Sequence, residues 1–194
     1  MNRLLIIVSV VFAATLAAAA QSPPKRLGIG TPATPDQIAA LDIDVRPDGT
    51  GLPAGSGTAR EGAAIYAQKC AACHGAKGEG GAADVLVGAA PKDSAPFGPE
   101  YERQRGSRPD VPFTIGNYWP YATTIFDYLR RAMPATAPGS LTADESYSLV
   151  AWLLAKNEII AEGDAMNRET LPRVRMPAAS RFVPDNRKGG PEVK

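Results

Sequence analysis

The chain has 194 residues, with 21 Lys and Arg against 20 Asp and Glu. Near-neutrality removes the basic footprint of a nucleic-acid binder, and the length suits one domain with a real core, not comfortably two. With two cysteines and one histidine there are too few ligands for a structural zinc site, which takes four.

Residues 1–20 read as a targeting segment. Arg3 supplies a modest n-region, Leu4 to Leu16 an apolar stretch, and Ala18-Ala19-Ala20 a small-residue cleavage site before Gln21. An uncleaved anchor is the alternative, because Leu4 to Ala20 approaches the lower limit for a spanning helix. Cleavage leaves a mature chain with no membrane segment, beginning near residue 21 in the periplasm. Residues 21–57 form an N-terminal arm rich in Pro and Gly, expected to pack on the domain. Thr34-Pro35-Asp36-Gln37 predicts an N-cap and two helical turns to Leu41.

The domain proper is expected over residues 58–162. Thr58-Ala59-Arg60-Glu61 is a capping box opening a helix toward Cys70. Gly62, Ile65 and Tyr66 share a face of it with Lys69 at the edge, and the glycine leaves room for a second helix to cross. Residues 76–120 are mostly turns. Pro120 starts a helix over 121–132, with Ile125, Tyr128, Leu129 and Ala132 inward, ending at Met133-Pro134. Thr142-Ala143-Asp144-Glu145 caps a helix to about Asn157, apolar at Tyr147, Val150, Ala151 and Leu154. Residues 163–194 show no sustained periodicity and form a C-terminal arm.

The chemistry concentrates in Cys70-Ala71-Ala72-Cys73-His74, which holds both cysteines and the sole histidine. This CxxCH spacing lets two thiols add to one edge of a porphyrin while the histidine supplies an axial nitrogen, so it reads as the attachment site of one covalent haem c. A thioredoxin-like dithiol would open a helix after a buried strand, whereas the residues before Cys70 look helical. A Cys70–Cys73 disulfide would close too small a loop to constrain much.

With no second histidine, the other axial ligand falls to a methionine thioether. Met133 ends a helix and leads a loop, Pro134 to Ser140, between two core helices, whereas Met166 and Met176 follow the last helix and read as gap-filling residues. His74/Met133 ligation closes both iron positions and raises the potential, which favours electron transfer over catalysis at the metal. Smaller candidates are Tyr118, Trp119 and Tyr121 as propionate donors, and Arg130 and Arg131 as propionate or partner contacts. In the class I c-type cytochromes that this CxxCH resembles, a proline about a dozen residues after the histidine orients its ring through a carbonyl; Val85 to Gly88 occupies that region here, which leaves the His74 acceptor as some other carbonyl or unresolved.

Several stretches, among them Gly28-Ile29-Gly30-Thr31-Pro32-Ala33-Thr34-Pro35, Asp42-Ile43-Asp44-Val45-Arg46-Pro47-Asp48-Gly49, Ile115-Gly116-Asn117-Tyr118-Trp119-Pro120-Tyr121-Ala122-Thr123-Thr124, and Arg131-Ala132-Met133-Pro134, extend beyond the CxxCH. Through them the chain resembles a class I c-type cytochrome, and within that group the cytochrome subunits of bacterial sulfite and sulfur dehydrogenases of the Sor and Sox type. The resemblance implies an all-α class I cytochrome c fold, three or more helices around one covalent haem, with long N- and C-terminal arms. It carries over Cys70 and Cys73 as thioether sites and His74 and Met133 as axial ligands. It further implies a molybdopterin sulfite dehydrogenase subunit as electron donor and a downstream cytochrome or oxidase as acceptor, this chain itself not being the site of substrate oxidation. Some sulfur dehydrogenase cytochrome subunits carry two haems, so the single motif here favours the monohaem sulfite type. The alternatives are a free-standing electron shuttle and a haem enzyme or sensor with an open sixth position.

Overall fold

The computed structural model describes residues 28–88 and 113–182. The expected targeting segment at 1–20, the middle of the turn-rich stretch and the last residues of the expected C-terminal arm lie outside the described residues. The chain divides into two compact units, Met1–Leu41 and Asp42–Lys194. In the first, helix α1 (Pro35–Leu41) forms at the expected capping signal, with Thr34 Oγ1 accepting from the Gln37 N–H and Gln37 Oε1 accepting from the Thr34 N–H.

In the second unit, strand β1 (Ser56–Thr58) leads directly into α2 (Ala59–Lys69), which is followed by a short α3 (Ala71–His74). Then come α4 (Ile115–Tyr118), α5 (Ala122–Ala132), α6 (Ala143–Lys156) and strand β2 (Ala165–Asn167). Two single-turn 3₁₀ segments, Leu171–Arg173 and Ala179–Arg181, close the described chain.

Both helices that open on Thr-x-x-Glu are capped reciprocally, Thr58 with Glu61 and Thr142 with Glu145. Each box satisfies two otherwise orphaned backbone donors, which sets the first residue of the helix. Helix α6 is the centre of the core, with every residue from Ser146 to Leu154 buried. Helix α2 crosses it at Gly62, where an added Cβ would stand 2.0 Å from the Ser148 carbonyl oxygen. One turn on, Tyr66 stacks on Trp152 with centroids 3.8 Å apart, and Lys69 pairs with Glu145 across the crossing at 2.5 Å.

Three features depart from the periodicity reading. Helix α5 turns Ala122, Ile125, Phe126 and Leu129 inward, while Tyr128 is 47% exposed and meets Trp119 edge-on. The spacing alone allowed either stripe, and packing against Tyr147 selects Phe126. Residues 163–182 are anchored to the core at a few points. Strand β2 pairs antiparallel with β1, Gly57 opposite Met166, and Met166, Leu171, Met176 and Ala178 are buried. Lastly, α4 is a single turn capped by Thr114 and Asn117, too short to leave a periodic signal.

Residues 42–54, ahead of β1, are held by α5 and α6. The Val45 N–H donates to Asp127 Oδ1 at 2.8 Å, Thr123 Oγ1 donates to the Pro47 carbonyl at 3.0 Å, and the Tyr147 hydroxyl donates to the Pro53 carbonyl at 2.9 Å. Asn157, at the C-cap of α6, ties three segments together through bonds to the Gly116 N–H and to the Leu86 and Leu153 carbonyls. Among the described residues no helix is long and apolar enough to cross a membrane.

Candidate haem site

Helix α2 ends at Cys70, whose N–H still donates to the Tyr66 carbonyl, and α3 begins one residue later. The Cys73 and His74 N–H groups both donate to the Cys70 carbonyl. Cys70, Cys73 and His74 are thus carried on one tight turn, welded to the helix that crosses the core. The helix stops because Gly75 adopts a left-handed conformation, φ +82°, which a side chain would resist.

The glycine-rich loop that follows folds straight back. The Gly80 N–H donates to the His74 carbonyl at 2.8 Å and the Ala83 N–H to the Cys73 carbonyl at 2.9 Å. This return places the Asp84 carbonyl 2.7 Å from His74 Nδ1. A carbonyl can only accept, so Nδ1 is the donor of this bond, and in the neutral ring Nε2 is the nitrogen available to a metal. The acceptor that residues 85–88 could not supply is therefore the backbone of Asp84, a role that no side chain announces. Farther along the same return, the Leu86 and Val87 N–H groups both donate to the Gly78 carbonyl.

Cys70 and Cys73 are both free thiols. Cys70 is half-buried, and burial pushes its thiol up to about 11, so it is protonated at neutral pH. The thiols and the imidazole do not converge: among the described residues no group of three or more His, Cys, Asp and Glu side chains is gathered to hold a bare ion. Two free thiols one turn apart, beside a histidine whose Nε2 is free, fit a macrocycle bonded along one edge. Ala71, Leu86, Val87, Trp119 and Met133 are each half-buried against the core cluster that Cys70 also packs on, which leaves part of their apolar surface for a large flat group to cover.

Met133 is the C-cap of α5, its N–H donating to the Leu129 carbonyl. It stands on a different element from the CxxCH turn, half-buried at the margin of the same core cluster that Cys70 packs against. Met166 and Met176 are inside that core, only 4% and 5% exposed.

The smaller candidates resolve differently. The Trp119 Nε1–H donates to Thr124 Oγ1 at 2.8 Å, so that donor is engaged. Arg131 forms a two-pronged pair with Asp127 on its own helix, which leaves it committed to the Val45 anchor point.

A crossed helix pair, a thiol pair with its histidine at the end of the first helix and a methionine after a later one define a haem-carrying electron-transfer domain. The chain belongs to the class I c-type cytochromes: residues 57–153, half its length, match the family model for cytochrome c oxidase, cbb3-type, subunit III. Among solved structures it is similar to the sulfane dehydrogenase SoxCD from Paracoccus pantotrophus, at 37% identity and a TM-score of 0.68, covering 83% of this chain and 73% of that one. A comparison with the curated proteins finds no match. Membership of the family implies haem c as the cofactor.

Proposed function

We propose that this protein is the monohaem electron-transfer subunit of a periplasmic molybdenum sulfite dehydrogenase, handing electrons to a downstream cytochrome or oxidase. One observation carries the reading: the likeness to a sulfane dehydrogenase structure covers 83% of the chain, well beyond the half that matches the cbb3-type subunit III cytochrome model. A partner-independent cytochrome would need to share only the haem-binding core.

In this reading Cys70 and Cys73 would hold the haem through their sulfurs, His74 Nε2 and the Met133 sulfur would hold its iron, and the Asp84 carbonyl, accepting from Nδ1, would orient the imidazole. Bound haem supplies one-electron exchange between ferrous and ferric iron. A soft Met133 thioether would favour the ferrous state, and with His74 and Met133 both holding the iron the site would pass electrons and not bind substrate. Sulfite would be oxidised on the partner. The periplasmic location rests on residues 1–20 as a cleaved signal and on thioether formation taking place outside the bacterial cytoplasm.

A second reading, in which the partner oxidises sulfane sulfur, is favoured by the activity of the structural relative. Both are tested by purifying the tagged cytochrome from its native periplasm and mixing it anaerobically with any molybdenum protein that accompanies it. Reduction of the haem by sulfite supports the first reading, and reduction only by a sulfane donor supports the second. A cytochrome that purifies alone and is reduced by neither would leave the free shuttle.

A further inference from the structure

Tyr66 is 1% exposed and stacked on Trp152. A phenylalanine would serve that stack equally well. The hydroxyl is a buried polar group, which costs stability unless bonded, and it donates to the Gly75 carbonyl at 2.9 Å. Gly75 is the residue next to His74, at the point where the chain turns back to bring Asp84 under the ring. Among the described residues the Gly78 N–H also donates to the Gly75 carbonyl, at a longer 3.2 Å.

We propose that Tyr66 is a positioning residue for the axial histidine, its hydroxyl pinning the Gly75 peptide so that the loop holds the Asp84 carbonyl against His74 Nδ1. The inference rests on His74 being a haem ligand. A hydrogen bond from the far ring nitrogen makes imidazole a stronger donor to the metal, and a stronger donor favours ferric iron. Loosening the Gly75 peptide lengthens the Nδ1–H bond to Asp84 and shifts the couple toward ferrous iron. Burial holds the Tyr66 phenol up at about 12, so it remains a donor throughout the working range.

The test compares haem-loaded wild type, Tyr66→Phe and Leu171→Ala, the last a core truncation in the C-terminal segment that leaves the Gly75 peptide untouched. Tyr66→Phe should raise the equilibrium constant for reduction about threefold, about 30 mV at 59 mV per decade for one electron. It should also speed exchange of the His74 Nδ1 proton, followed by NMR. Gly75→Ala perturbs the same peptide from the loop side, since its Cβ would meet Glu79 Oε2 at 2.5 Å, and should shift the potential in the same direction. Leu171→Ala should lower the melting temperature and leave the potential where it was. A Tyr66→Phe protein with unchanged potential and exchange, or a Leu171→Ala protein with the same shift, overturns the proposal. Exported wild-type protein lacking haem would overturn this inference and the haem reading together, whereas haem-loaded Tyr66→Phe with an unmoved potential overturns only this one.

Discussion

Replacing Gly62 with alanine drives α2 and α6 apart. The new Cβ would lie 2.0 Å from the Ser148 carbonyl oxygen and 2.7 Å from the Trp152 Cβ, where ordinary contact begins at 3.4 Å. The oxygen belongs to the backbone of a buried helix and cannot rotate away, so the helices must separate by about 1 Å or more, judged from that shortfall. Overpacking of this kind costs about 1–3 kcal/mol, and loosening the Tyr66–Trp152 stack adds about 0.5–1.5 kcal/mol. Higher helix propensity returns roughly 1 kcal/mol. The net loss of about 2 kcal/mol lowers the melting temperature by about 4–8 °C for a domain of this size. Thermal unfolding of the haem-loaded protein by circular dichroism measures it. Gly163→Ala is the control, since nothing lies within 4 Å of its added Cβ. A Gly62→Ala protein as stable as the control, or more stable, would refute the close crossing.

The Lys69 ammonium, with the Thr142 N–H adding to it, holds the Glu145 carboxyl below its usual value of 4.5. A depressed carboxylate stabilises the fold above the unfolded pKa and loses that contribution as pH falls through the folded one. Glu145→Gln should therefore cost about 1 kcal/mol at pH 7, small because the pair is partly solvated, with the gap to wild type closing below about pH 4.5. Acid titrations of melting temperature check it, and a gap independent of pH would contradict it. Asp127→Ala removes the acceptor of the Val45 N–H and the partner of Arg131. It should cost about 2–3 kcal/mol and raise hydrogen exchange at Val45 before exchange in α6 changes. Exchange that rises equally in both would mean residues 42–54 are not anchored there.

The capped helices were legible to the residue because their signals are local: Thr58 and Glu61, or Thr142 and Glu145, satisfy each other within one turn. Gly62 was legible too, as a missing side chain in a stripe of large ones, and the Ser148 carbonyl occupies the space it leaves. The C-terminal packing was not. Met166, Leu171, Met176 and Ala178 are buried at irregular intervals along a strand, turns and single-turn helices, and no repeat links them. Their order comes from tertiary pairing with β1 and from the Asn167 and Thr170 bonds that shape the turn. In the site, the two cysteines and the histidine announce themselves by spacing, whereas the atom that orients the imidazole is a backbone carbonyl at Asp84. Any residue type offers that carbonyl, and only the fold-back of the glycine loop selects it. Tyr128 misled because it falls at the same helical interval as a core residue, while Phe126, one position outside the counted stripe, is the ring that meets Tyr147.

Under the proposed function His74 and Met133 would together hold the haem iron. The ferric absorption spectrum of the haem-loaded protein tests this most directly, recorded for wild type and for Met133→Ala. The thioether-to-iron charge-transfer band at the far-red end should be present in the wild type and absent in Met133→Ala, with haem still covalently bound in both. A wild-type spectrum without that band, or a variant that retains it, would contradict the assignment.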